Sequence, residues 1–213
     1  MIKIYITTIS EMSFDGAQEW LSEYRRDKVK RKKNGAESLA AGLLLDYALR
    51  EYGLCERDME YIENAHGKPF FKNRPDIKFS LSHSGEYAVC AVSNRSSAGI
   101  GIDVEKYGDA KNALKIAERY FTAEEYEYVK NHRNPEAAFF RLWTRKESLL
   151  KALGTGISGG LSVYEVLEDE IMAGDKKFYF SQIDGYENMS ITCCSEEKDA
   201  DVKFVTEDMV KSI

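Results

Sequence analysis

Hydrophobic and polar residues alternate along Ile2 to Thr8, the period-two signature of a strand with one buried face. From Glu37 to Tyr52 the apolar positions instead recur at helical spacing, and Gly53 supplies a stop. A loop follows around His66-Gly67-Lys68-Pro69. Two short apolar runs, Phe79 to Leu81 and Tyr87 to Val92, predict a hairpin with its tip at Ser82 to Gly85, and Gly99 to Glu105 predicts a further strand. The pattern then becomes helical over Ala110 to Tyr120, Ala123 to Asn131 and Ala137 to Leu153. It returns to strands over Leu161 to Val166, Lys177 to Gln182 and Ser190 to Cys194.

This order repeats itself. Phe79 to Ser93 resembles Phe180 to Ser195, and Glu37-Ser38-Leu39 recurs as Glu147-Ser148-Leu149, both offset by roughly half the chain. The expectation is an α+β fold of two similar halves, residues 1–98 and 99–213, related by pseudo-twofold symmetry. Ligand sites favour the meeting of such halves.

Composition narrows the class. With 213 residues, 43% of them apolar, and three prolines, the chain can bury a real core. No apolar run reaches the roughly 18 residues of a membrane span, and the first residues lack the apolar core of a signal peptide, so a cytoplasmic location without membrane contact is expected. Cys55, Cys90, Cys193 and Cys194 show no paired metal-ligand spacing. The net charge is −6, yet Arg25 to Lys33 holds seven basic residues in nine, which suits an anionic ligand or a solvated helix.

Chemistry concentrates in two segments. Along Gly99 to Glu105, Ile100, Ile102 and Val104 face one way, whereas Gly99, Gly101, Asp103 and Glu105 face the other. The two carboxylates would stand about 7 Å apart, near enough to share a cation, with space for a bulky anion over the glycines. Alone, the pattern better suits a half-exposed strand with acids in water, so the motif needs support from elsewhere in the chain. In the helix Ala137 to Leu153, Lys146 falls within the stripe of Phe139, Leu142, Trp143, Leu149, Leu150 and Leu153. It must either snorkel outward or reach an anion, because a buried unpaired ammonium is costly. Glu147 borders the stripe and Lys151 follows one turn later. Ser82 and His83, adjacent on a strand, point to opposite faces, which argues against a nucleophile and base pair.

In this order, His66-Gly67-Lys68-Pro69-Phe70, Phe79 to Gly85, Gly101 to Lys106 and Trp143 to Ser148 continuing through Lys151 to Gly156 resemble the Sfp-type 4′-phosphopantetheinyl transferases. The resemblance spans essentially the whole chain. It implies Mg²⁺ held by Asp103, Glu105 and Glu147, and coenzyme A contacted by Lys28, Lys68, Ser82, His83, Lys146 and Lys151. Ser38 and Leu39 stand where the family usually carries basic or polar residues. The implied reaction moves 4′-phosphopantetheine from coenzyme A to a serine hydroxyl of an apo acyl- or peptidyl-carrier protein, releasing 3′,5′-ADP, with Glu147 and Lys151 as catalytic residues. Such carriers serve fatty-acid, polyketide or nonribosomal-peptide synthesis. A monomer is expected, with Lys111, Lys115 and Arg119 as a basic docking face for the carrier. A metal-dependent phosphodiesterase would also explain acids and lysines around a cation. A nucleic-acid-binding module using Arg25 to Lys33 is a third reading, disfavoured by the negative charge and the lack of a reader motif.

Overall fold

A computed structural model describes residues 1–31, 35–95, 99–156 and 160–212. Lys32 and Lys33 of the basic run lie outside the described residues. The fold is α+β, and the chain divides into two compact units, Met1–Ala98 with Asp199–Ile213, and Gly99–Lys198.

The first unit contains β1 (Ile2–Thr8), α1 (Glu23–Arg31), α2 (Gly35–Arg50), β2 (Tyr61–Glu63), β3 (Pro69–Phe71), β4 (Lys78–Ser84) and β5 (Tyr87–Ser93). The expected hairpin forms, but its strands run further: Ser84 pairs with Tyr87, so the turn is only Gly85-Glu86, and Ser82 and His83 are strand residues. Gly85 supplies the left-handed φ of 61° that this tight turn needs. Helix α2 is buried continuously from Ser38 to Leu49, and its side chains form the main core together with residues of β1, β4 and β5. Burial on every side explains why its apolar positions are so crowded.

The second unit contains β6 (Ile100–Lys106), α3 (Ala110–Tyr120), α4 (Ala123–Asn131), α5 (Pro135–Leu153), β7 (Glu170–Ala173), β8 (Lys176–Gln182) and β9 (Met189–Ser195). Its sheet, ordered β6-β9-β8-β7, is antiparallel throughout. Helix α5 begins at an Asn134 cap followed by Pro135 and ends at Gly154 with φ 73°, an arrangement of start and stop that backbone chemistry favours. Beyond it, the chain returns to the first unit through β10 (Ala200–Phe204) and α6 (Glu207–Lys211). Strand β10 joins β1 in parallel, giving the sheet order β10-β1-β5-β4. The terminal segment therefore leaves the expected 99–213 half.

Two expectations are corrected. Leu161 to Val166 is not a strand, because the carbonyls of Leu161, Tyr164 and Val166 accept hydrogen bonds from Lys146 and Arg145 rather than from a neighbouring strand. Nor do Gly99 and Gly101 leave room for an anion. A Cβ on Gly101 would lie 1.9 Å from the Ser148 carbonyl oxygen, and one on Gly99 would lie 2.9 Å from the Phe178 ring. Helix α5 fills the space over Gly101, so only glycine permits this approach.

Candidate active site

The close approach at Gly101 builds the site. Asp103 and Glu105 share its face of β6, and Gly101 lies against the turn of α5 that carries Ser148, Lys151 and Ala152. Glu147 and Lys151, one turn apart on α5, are thereby brought to the two β6 carboxylates. The Lys151 ammonium donates to Asp103 Oδ1 at 2.7 Å and to the Ile102 carbonyl at 3.0 Å. Asp103 is only 3% exposed. Ile100, Ile102 and Val104, alternating with this set, are fully buried.

Glu147 is the electrostatic focus. Its Oε1 is buried and has no hydrogen-bond partner among the described residues. Burial, together with the negative charges of Asp103 and Glu105, pushes its carboxyl up to about 6, and Lys151 only partly opposes this. An acid raised by neighbouring acids is a site in need of positive charge. Among the described residues no group of three or more His, Cys, Asp or Glu side chains is placed to hold a metal ion by itself. Mg²⁺, however, commonly takes one or two carboxylates and completes its shell with water and substrate phosphates. The hard oxygens of Asp103, Glu105 and Glu147, one of them orphaned, fit that mode of binding.

Glu105 also borders a pocket of about 240 Å³ at the α3 and α5 side of this unit, floored by Ala113, Ile116, Phe139 and Trp143. On α3, Lys111, Lys115 and Arg119 are exposed while Ala113 and Ala117 are buried, so the three cations occupy the solvent side.

Lys146 is the clearest departure from expectation. Its side chain is 2% exposed, and its ammonium meets Glu125 Oε2 at 2.7 Å and the carbonyls of Leu161 and Tyr164 at 2.7 and 2.6 Å. Burial lowers its pKa and Glu125 pulls the other way. An ammonium with three buried acceptors is fully engaged inside the unit. Within the unit, then, an internal carboxylate and two carbonyls meet this charge of the helix stripe. Sequence reasoning missed that partner. Thr122-Ala123-Glu124-Glu125 does carry a capping-box signature, and both reciprocal bonds form, yet nothing local shows that Glu125 also reaches Lys146.

In the first unit, Ser82 and His83 are half-buried on β4, and His83 Nδ1 lies 3.2 Å from Glu37 Oε2 of α2. Glu37 was not singled out from sequence. Lys68 is half-buried beside the β3 strand, its backbone N–H donating to Asn64 Oδ1. Lys28 is engaged by Glu63 at 3.0 Å, in company with the Tyr24 hydroxyl. Ser38 and Leu39 are buried in α2.

A family model described as the 4′-phosphopantetheinyl transferase superfamily matches residues 99–200, the span that holds Asp103, Glu105, Glu147 and Lys151. A 4′-phosphopantetheinyl transferase of Bacillus subtilis is 30% identical over 192 residues, covering 84% of this chain and 84% of that protein. Sfp of Bacillus subtilis strain 168 is 31% identical over 164 residues, covering 74% and 71%. The gsp transferase of Aneurinibacillus migulanus is 37% identical over 128 residues, covering 59% and 51%. With similarity of this extent falling on the segment that builds the acidic site, the chain belongs to the 4′-phosphopantetheinyl transferases and is an enzyme of that class.

Proposed function

We propose that this enzyme transfers 4′-phosphopantetheine from coenzyme A to a serine hydroxyl of an apo-carrier protein in a Mg²⁺-dependent reaction that releases 3′,5′-ADP. The observation that carries this reading is the arrangement of Glu147 and Lys151 on α5 beside Asp103 and Glu105 of β6, with a buried Glu147 oxygen that no group among the described residues satisfies. Asp103, Glu105 and Glu147 would hold the metal. Bound there, Mg²⁺ supplies charge stabilisation to the diphosphate.

The chain's own residues supply positioning, charge stabilisation and proton movement, of which the first two carry most of the catalysis in phosphoryl transfer. Lys151, held by Asp103 and the Ile102 carbonyl, sets an ammonium among the carboxylates, where it can neutralise charge on the transferring group. Glu147 takes the serine proton through a water in the reading we favour, because a carboxylate that also held Mg²⁺ would be a weaker direct base. Lys28, Lys68, Ser82 and His83 are proposed to contact coenzyme A, with His83 near the 3′-phosphate. Their chemistry supports this: two ammonium groups, a hydroxyl, and an imidazole whose Nδ1 lies 3.2 Å from the Glu37 carboxylate. The exposed row Lys111, Lys115 and Arg119 suits an acidic carrier surface. Reversing the three charges should raise KM for the carrier several-fold and leave KM for coenzyme A unchanged; equal effects on both would place docking elsewhere.

The deciding experiment incubates the protein with an apo-carrier, coenzyme A and Mg²⁺ and weighs the intact carrier. A phosphopantetheine adduct that disappears on chelation supports the reading. Cleavage of coenzyme A with no adduct on any of several carrier types would instead establish a phosphodiesterase.

A further inference from the structure

Three consecutive residues of α5 face different tasks. Arg145, 1% exposed, donates through Nη1 to the carbonyls of Val166, Leu167 and Glu168 and through Nη2 to Asp169 at 2.5 Å. Lys146 takes the carbonyls of Leu161 and Tyr164 and the Glu125 carboxylate. Glu147 then stands one turn before Lys151, whose ammonium donates to Asp103 of β6 at 2.7 Å. At about 100° per residue, Lys146 stands about 160° round the helix from Ser148, whose carbonyl lies against Gly101 of β6. Helix α5 is therefore held on two nearly opposite sides. On one, Gly101 and the Thr144 hydroxyl, 2.9 and 2.8 Å from Ser190 and Thr192 of β9, seat it on the sheet. On the other stands the buried ion pair.

Glu125 is more than a counter-ion. It is fully buried, completes the capping box at the start of α4, and accepts from the Val166 N–H at 2.8 Å. One carboxylate thus ties α4, the 161–166 segment and α5 together. An apolar contact of equal volume would commonly stabilise as well or better, so stability by itself does not account for two buried charges. Directional bonds differ from apolar contact in fixing rotation. An ammonium with three acceptors tolerates little turning of the helix that bears it.

We propose that the buried Lys146–Glu125 pair is a positioning device that sets the rotation of α5 and so aims Glu147 at Asp103 and Glu105. Lys146 is a positioning residue and not a ligand of the donor. The inference rests on the reading of Asp103, Glu105 and Glu147 as the metal-holding carboxylates.

The test compares the wild-type protein with the double variant Glu125→Leu/Lys146→Met, which replaces the pair by apolar volume, and with Glu125→Gln, which keeps the shape and an acceptor for Val166. Melting temperature, Mg²⁺ affinity by calorimetry at saturating coenzyme A, kcat and KM for coenzyme A are measured on each. The double variant should melt below wild type, because the Val166 N–H and the Leu161 and Tyr164 carbonyls lose their partners. Its folded fraction should bind Mg²⁺ about tenfold more weakly and lose about tenfold or more in kcat, with KM for coenzyme A within about twofold. Should the double variant not fold, Glu125→Gln carries the test: the same split is expected, smaller in size, with near-ultraviolet circular dichroism unchanged. Wild-type Mg²⁺ affinity and kcat in the folded variants would overturn the proposal and leave the pair a purely structural contact. A large rise in KM for coenzyme A with kcat intact would overturn it in favour of direct donor contact. Absence of Mg²⁺ binding by the wild-type protein itself would be the separate failure of the metal reading.

Discussion

The two units surround the acids that they withdraw from water in different ways. In the first unit Asp46 and Glu56 are both fully buried, and both are surrounded by donors. Asp46 accepts from Arg50 Nε at 2.7 Å and from the Glu56 N–H at 2.8 Å. Glu56 accepts from the Ser22 N–H and hydroxyl at 2.6 and 2.8 Å and from the Tyr61 hydroxyl at 2.6 Å. In the second unit Asp103 and Glu147 lie near a further acid, Glu105, and Glu147 keeps a buried oxygen that nothing in the described chain satisfies. Satisfied buried acids hold a fold together, whereas an acid left short of donors beside other acids is poised for a ligand. Glu125, equally buried but paired with Lys146, shows that the distinction follows satisfaction and not location in one unit or the other.

The largest effect expected from this contrast is on activity. Asp103→Ala, Glu105→Ala and Glu147→Ala should each lower kcat/KM for transfer by about 10³-fold or more, near 4 kcal/mol of lost transition-state stabilisation. Their circular dichroism spectra and melting temperatures should stay close to wild type. Retained activity in all three at low Mg²⁺ would erase the functional side of the comparison.

Glu56→Gln should act in the opposite sense. The substitution trades a charged acceptor for an amide facing the Ser22 N–H, the Ser22 hydroxyl and the Tyr61 hydroxyl, and should cost about 2–3 kcal/mol in denaturant unfolding. The folded fraction should keep its kcat. A stable, inactive Glu56→Gln protein would break the contrast.

The pH dependence of stability sharpens it further. Glu147 has a folded pKa of about 6 against an ordinary 4.5, so its contribution to stability is fully present below about 4.5 and is lost as pH rises through 6. Without metal, Glu147→Gln should therefore match wild type at pH 4 and exceed it by about 1–2 kcal/mol above pH 6, after allowance for partial solvent screening. Urea melts at several pH values in chelator would show this. Equal stabilities across the range would mean that Glu147 carries no such penalty.

Glu51 provides the smaller, mirror-image case. Burial works against its ionisation, but Lys3, Tyr5 and Lys203 donate to it and bring its pKa down to about 2. Its stabilisation is present above pH 4.5 and is lost as pH falls towards 2. Glu51→Gln should cost about 1 kcal/mol near neutrality, given its contact with solvent, and the difference from wild type should vanish in acid. A difference that persists at pH 2 would show the contacts to be indifferent to charge.

Alternation and helical spacing in the chain alone determined β1, α2, the β4 and β5 hairpin, β6, and the helices of the second unit, because each carries enough apolar positions at its own period and several end at a clear local stop such as Gly53 or Gly154. The same alternation placed Asp103 and Glu105 on one face of β6, and helical spacing put Glu147 and Lys151 one turn apart. Only tertiary structure decided what those faces meet. No local signal distinguishes a glycine that makes room for a ligand from Gly101, which admits the backbone of α5. Parallel pairing of β10 with β1 joins residues almost 200 positions apart, a separation that no periodicity registers. Lys146 was recognisable as an ammonium in an apolar stripe, but its partner Glu125 lies on another helix, so whether the charge met a ligand or the protein itself waited on the packing of α4 against α5. Local rules govern which way a side chain points; long-range packing governs what it finds there.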